Sequence, residues 1–210
     1  MLMQLTVSGL SQGAIYALIA LSLTVVFRAT TVVNFGHGDF VLGGAFGVYV
    51  LVVMLGLPFV PSAIAAIVLM FACGVLISRG FINPIKAGPH IGFAMMSISL
   101  GYIFRGTTRS IWGREVLPMP RVFDFPPVFI GDIVITADAM IQAVYQSERC
   151  ATLVGINVQR FHDMMWGAGL AMGAVAGILI APISLLHPDL GAGFLIRGFA
   201  AMTLGGFGSL

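Results

Sequence analysis

Charge is what this chain has least of. Only 9% of its 210 residues are Asp, Glu, Lys or Arg, where a soluble globular domain carries roughly 25%. That deficit excludes an ordinary soluble fold. Lys86 is the only lysine. No G-x-x-x-x-G-K-[ST] loop surrounds it, so ATP chemistry does not reside here. With a net charge of +2 and no basic stripe, nothing points to nucleic acid. Cysteine is nearly absent. Cys73 and Cys150 lie far apart, and Cys73 falls inside an apolar run, so both read as free thiols and not as a disulfide or metal pair. His37, His90, His162 and His187 are scattered. No Ser/His/Asp or metal constellation forms around them, so neither an enzyme nor a cofactor is expected. The N-terminus lacks a basic n-region, so Leu2–Phe27 reads as a retained span and not a cleaved signal.

What is there is apolar: 59% of residues are hydrophobic and the mean hydropathy is +1.04. The expected fold is an all-α polytopic membrane protein, a single multi-helix domain over residues 1–210, with broken or re-entrant segments. Spans are predicted over Leu5–Phe27, Phe40–Leu57, Ser62–Ser78, Ile91–Trp112 and Met164–Leu186. Gly9 and Gly13 in the first span, Gly43 and Gly47 in the second, and Gly169, Gly173 and Gly177 in the last have the spacing that lets helices approach closely. Arg79–His90 reads as a polar loop. Arg105 and Arg109 burden the fourth span, either snorkelling or pairing with Glu115. Gly113–Asp138 is too rich in proline for a regular helix, and Val128–Ile135 within it reads as a short strand or hairpin. Placing Arg79 and Lys86 in the cytoplasm runs the third span inward, the second outward and the first inward.

One stretch organises the rest: Thr31-Val-Val-Asn-Phe-Gly-His-Gly-Asp-Phe40, between the first two spans. It does not read as a comfortable helix. Glycine-broken, polar backbone beside membrane spans is tolerated only where protein or water covers it. It is therefore either the lining of a pathway, through Asn34, Phe35, Gly36, His37 and Gly38, or a short turn with a capped helix start. Tyr16 reads as an interhelical hydrogen-bonder or, as the alternative, a pathway residue. Phe199–Gly208 also combines glycine with phenylalanine, and is expected to form a second broken segment facing Asn34–Gly38.

Towards the C-terminal side the pattern contradicts itself. Tyr145–Arg160 is polar and amphipathic, and a long apolar span follows it. Between Asp138 and Tyr145 there is no room to cross a bilayer, and Phe199–Leu210 is too short to cross one. Either the amphipathic stretch lies outside, or a span is absent near 138–143; the second is the expectation, with a spatial gap near residues 137–141 and a C-terminal part that is cut short.

Three blocks resemble a known family: Gly13-Ala-Ile-Tyr-Ala-Leu-Ile-Ala-Leu-Ser-Leu-Thr24, Val33-Asn-Phe-Gly-His-Gly-Asp-Phe40, and Leu153-Val-Gly-Ile-Asn-Val158 with Phe199-Ala-Ala-Met-Thr-Leu-Gly-Gly-Phe-Gly-Ser209. Together they are similar to the LivH-type permease of branched-chain amino acid ABC importers. Gly36 stands where that family more usually has alanine, which is expected to loosen the segment. The resemblance implies a permease subunit in a bacterial inner membrane, paired with a second, similar permease. It also implies two cytoplasmic ATPase subunits and a periplasmic binding protein. It places a docking helix for the ATPases over Ala143–Arg160, with Glu148, Ala151, Leu153, Gly155, Ile156 and Asn157 in contact. A passive channel for small solutes, or a non-transporting structural subunit, are the other classes the residues allow.

Overall fold

The structure, a computed structural model, describes residues 2–30, 33–85, 90–119, 128–130, 133–135 and 158–206. Helix α1 spans Leu2–Thr30. Helix α2 spans His37–Tyr49 and runs on through a π-helical turn, Val50–Met54. Helix α3, Phe59–Ile77, continues through a second π-helical turn, Ser78–Ile82, and one helical turn, Asn83–Ile85. Helix α4 spans His90–Trp112. A two-stranded antiparallel ribbon follows, β1 Val128–Ile130 on β2 Ile133–Ile135, with Phe129 opposite Val134. Helices α5, Val158–Ser184, and α6, Leu190–Gly205, complete the described chain.

Among the described residues, four stretches are long and apolar enough to cross a membrane: Leu5–Arg28, His37–Met54, Phe59–Ile85 and His162–Ser184. The predicted span Ile91–Trp112 is a helix, α4, but its arginines and hydroxyl side chains keep it out of that group. Helix α5 is the hub and packs on α1, α2 and α3. Its glycine stripe makes this approach possible. A Cβ on Gly177 would run into the carbonyl of Val41, and one on Gly169 would meet Val26. Without a hydrophobic force between helices in lipid, such close backbone packing is what joins them. Ile15, Ile19, Val41, Phe46, Ile178 and Phe194 form one buried cluster, and Val26, Phe40, Met70, Trp166 and Leu170 another. Outward-facing Ile64, Val68, Leu69 and Leu76 on α3 are 58–68% exposed, as suits a lipid-facing surface and not a soluble one.

Pro182 near the end of α5 cannot donate into the ladder, and the helix stops two residues later. Leu185 turns the chain with φ 54°. Leu186 then exchanges two backbone hydrogen bonds with Leu117, at 2.8 and 3.2 Å, which ties the end of α4 to the end of α5.

Three expectations need correction. Residues 79–85 are not a loop but helical, because the π-helical turn carries α3 onward. Within the organising stretch the described residues 33–36 are non-helical, and from His37 onward it is the first turn of α2. Phe199–Gly205 is the last part of α6 and not a broken segment, because Gly198 packs on Ile19 and the helix is held against α1. The hairpin is present as expected, and Cys73 is free. The proposed gap near residues 137–141, Cys150 and the docking segment lie outside the described residues.

Candidate functional site

Helix α2 starts inside the bundle. His37 lies beside Gly173, the midpoint of the His162–Ser184 span, and Gly36 lies against Ser97 and Gly101 in the body of α4. The irregular backbone leading into it satisfies its own polar groups. Phe35 N–H donates to Ser97 Oγ at 3.2 Å, and Gly36 N–H donates to Asn34 Oδ1 at 3.0 Å. His37 N–H donates to the Asn34 carbonyl at 3.1 Å, and Asp39 and Phe40 N–H both donate to the Gly36 carbonyl. This is the coverage that interrupted backbone needs at membrane depth. The helix-capping residue is Gly36, which makes no side-chain cap, so Asn34 closes a turn ahead of the helix instead of capping it.

Gly36 tightens the segment instead of loosening it. A Cβ there would collide with the Ser97 carbonyl, and one on Gly101 would come within 2.8 Å of Gly36 Cα. Gly38 serves the same end on the other side, because a Cβ would collide with the carbonyl of Gly191 in the first turn of α6. The starts of α2 and α6 thus touch backbone to backbone.

Each start carries an aspartate, and α4 supplies an arginine to each. Arg105 donates from Nε to Asp39 Oδ1 at 2.9 Å and from Nη2 to Asp39 Oδ2 at 3.0 Å. One turn along α4, Arg109 pairs with Asp189, the capping residue of α6. These are the partners of Arg105 and Arg109, in place of the expected Glu115 or snorkelling. A carboxylate at a helix start is favoured by the dipole, and a forked guanidinium fixes its orientation. The Asp39–Arg105 pair is well buried, with side chains 7% and 18% exposed.

His37 is buried against α1. Its Nε2 lies 2.7 Å from Ser22 Oγ. Ser22 donates its single hydroxyl proton to the Ile19 carbonyl at 2.7 Å, so this network assigns the imidazole proton to Nε2. His37 Nδ1 and Asn34 Nδ2 are then buried atoms without a hydrogen-bond partner among the described residues. Phe35, by contrast, is 42% exposed. Tyr16 stands apart, on the outer face of α1 and α6, where Arg197 Nη1 donates to its hydroxyl at 2.8 Å and the guanidinium lies 5.3 Å from its ring centre. This contact joins α1 to α6. Glu148, Ala151, Leu153, Gly155, Ile156 and Asn157 lie outside the described residues.

A second polar cluster, which sequence patterning did not find, sits where α5 begins. Buried Asp163 accepts from Ser78 Oγ at 2.7 Å, Arg79 Nε at 2.9 Å and Asn83 Nδ2 at 2.9 Å. The π-helical turn Ser78–Ile82 brings these donors to it. A lone Asp next to His162 at the edge of an apolar run was the available signal. No group of metal-ligating side chains occurs among the described residues.

An interrupted span starting inside membrane-length helices defines a polytopic helical membrane protein with a polar, covered break at mid-depth. The family model for the branched-chain amino acid transport system permease component matches residues 5–133. Similar proteins include the high-affinity branched-chain amino acid transport permeases LivH of Salmonella typhimurium and of Escherichia coli K12. They are 23% and 24% identical, over 97% of this chain and 78% of theirs. The permease BraD of Pseudomonas aeruginosa is 27% identical over 99% of this chain and 80% of its own. No solved structure matches the chain. The chain belongs to the branched-chain amino acid transport permease family.

Proposed function

We propose that this chain is the membrane-spanning subunit of an ATP-driven importer in a bacterial inner membrane, and that it passes branched-chain amino acids or related small polar solutes. The family match over residues 5–133 carries this reading. No phosphate-binding loop occurs in this sequence, so the motor of such an importer belongs to other subunits. The partners are then a second, similar permease, two cytoplasmic ATPases and a periplasmic binding protein.

The translocation route runs along Asn34, Phe35, Gly36, His37 and Gly38, with Tyr16 further along α1. Its support is the mid-depth start of α2 and two buried polar atoms there, Asn34 Nδ2 and His37 Nδ1, that have no partner among the described residues. Gly36 and Gly38 contribute by holding α4 and α6 close, while Asn34 and His37 contribute polar groups. Coupling falls to Glu148, Ala151, Leu153, Gly155, Ile156 and Asn157, just ahead of α5.

Affinity purification of the tagged chain from its native host tests the assembly. ATPases and a second permease in the eluate support it. Uptake that persists without ATP hydrolysis would assign a passive channel, and neither co-purification nor uptake would assign a structural subunit.

A further inference from the structure

Among the described residues, Arg197 is a cation without a counter-charge at the centre of the bundle's height. It lies on α6 beside Tyr16, near the midpoint of the Leu5–Arg28 span, and the next residue, Gly198, packs on Ile19. Arg197 is exposed in this chain. Its partners are the Tyr16 hydroxyl, at 2.8 Å, and the Tyr16 ring, with no carboxylate in reach among the described residues. The ring contact holds the guanidinium beside Tyr16 at this height of the helices. An arginine facing lipid at mid-depth costs at least about 2.5–3.5 kcal/mol. The α1–α6 face is therefore turned towards water or protein.

We propose that Arg197, held by Tyr16, is a carboxylate-binding site on the translocation route, taking the α-carboxylate of an amino acid in transit. The inference rests on the permease reading above. A single hydrogen bond to Tyr16 leaves most of the five guanidinium donors open, and a planar fork matches a carboxylate. A carboxylate is the counter-charge that this fork matches, and an amino acid in transit carries one. The contact is also suited to passage: an arginine held on one side by an aromatic ring binds a carboxylate in a wet path without enclosing it.

The test uses the complete transporter in proteoliposomes, with leucine as the probe and uptake counted per assembled complex. Arg197→Met is expected to lower leucine uptake by about tenfold or more, the size of one lost charge-assisted hydrogen bond. Arg197→Lys is expected to keep a measurable part of it. In a background with Cys73→Ala and Cys150→Ala, Arg197→Cys is expected to react with aqueous methanethiosulfonates. The aminoethyl reagent, which adds a cation, restores uptake, and the sulfonatoethyl reagent does not. Wild-type uptake by Arg197→Met, equal effects of the two reagents, or failure of either to reach Cys at 197 would each overturn the carboxylate site while leaving the permease reading standing. Loss of the second permease from purified Arg197→Met complexes would assign the arginine to subunit contact instead and also overturn it. A wild-type complex that imports no amino acid would overturn both.

Discussion

Asp39 illustrates how much one side chain settles in this bundle. It is 5% exposed, meets Arg105 through both oxygens and sits in the first turn of α2. Removing one partner of a buried pair leaves the other charge uncompensated, at about 3–5 kcal/mol. Asp39→Asn should therefore lower the melting temperature of the purified complex, and adding Arg105→Gln should recover most of the loss. An additive double variant would show that the two residues do not act as a pair. Gly36→Ala pushes a methyl into the Ser97 carbonyl and should cost about 1–3 kcal/mol by overpacking, read as a lower melting temperature. Asn34 separates structure from transport. Asn34→Ala removes the acceptor for Gly36 N–H and should destabilise the turn. Asn34→Ser keeps an acceptor for Gly36 N–H, since a serine hydroxyl closes the same turn, and removes the free Nδ2 without adding a charge. It should leave insertion intact and lower uptake per inserted molecule about three- to tenfold, as expected for one lost hydrogen bond. Normal uptake by this variant would take Asn34 out of the route.

At the scale of elements, α5 connects the proposed docking segment to the rest of the bundle. Its second turn is tied by Asp163 to the π-helical turn after α3, and its middle supports α1 and α2. Asp163→Ala strands three donors and should uncouple the complex, so that ATP turnover continues while uptake falls. Equal losses of both activities would mean only a general defect in assembly. Most of this framework was legible in the sequence. Apolar runs located the spans, the Gly169, Gly173, Gly177 repeat marked the packing face of α5, and the break ahead of α2 stood out between apolar stretches. What patterning missed has a common cause. Ion pairs such as Arg105–Asp39, Arg109–Asp189 and Arg79–Asp163 join residues far apart in the chain, and no local spacing encodes them. The helical course of residues 79–85 was missed because a π-helical turn with an arginine in it reads like the start of a loop. Gly36 was misjudged because freedom of the backbone and room for a neighbour look alike in a sequence; only the position of Ser97 distinguishes them.

At the scale of the molecule, the described helices form a bundle whose outer face on α3 is apolar, while the α1–α6 face carries Tyr16 and Arg197. That asymmetry is what a subunit needs if one side meets lipid and another meets a partner or a path. Coupling belongs to this scale too: Gly155→Val should lower transport but leave membrane insertion unchanged, since glycine alone adopts positive φ cheaply in the tight turn expected after a docking helix. The central claim is that this chain carries solute only as part of an ATP-driven complex. The most direct measurement is leucine uptake into proteoliposomes holding the purified complex, with the binding protein on one side and ATP on the other. Accumulation is expected to require both. Uptake that proceeds equally well without ATP, or that stops at equilibrium with it, would contradict the claim.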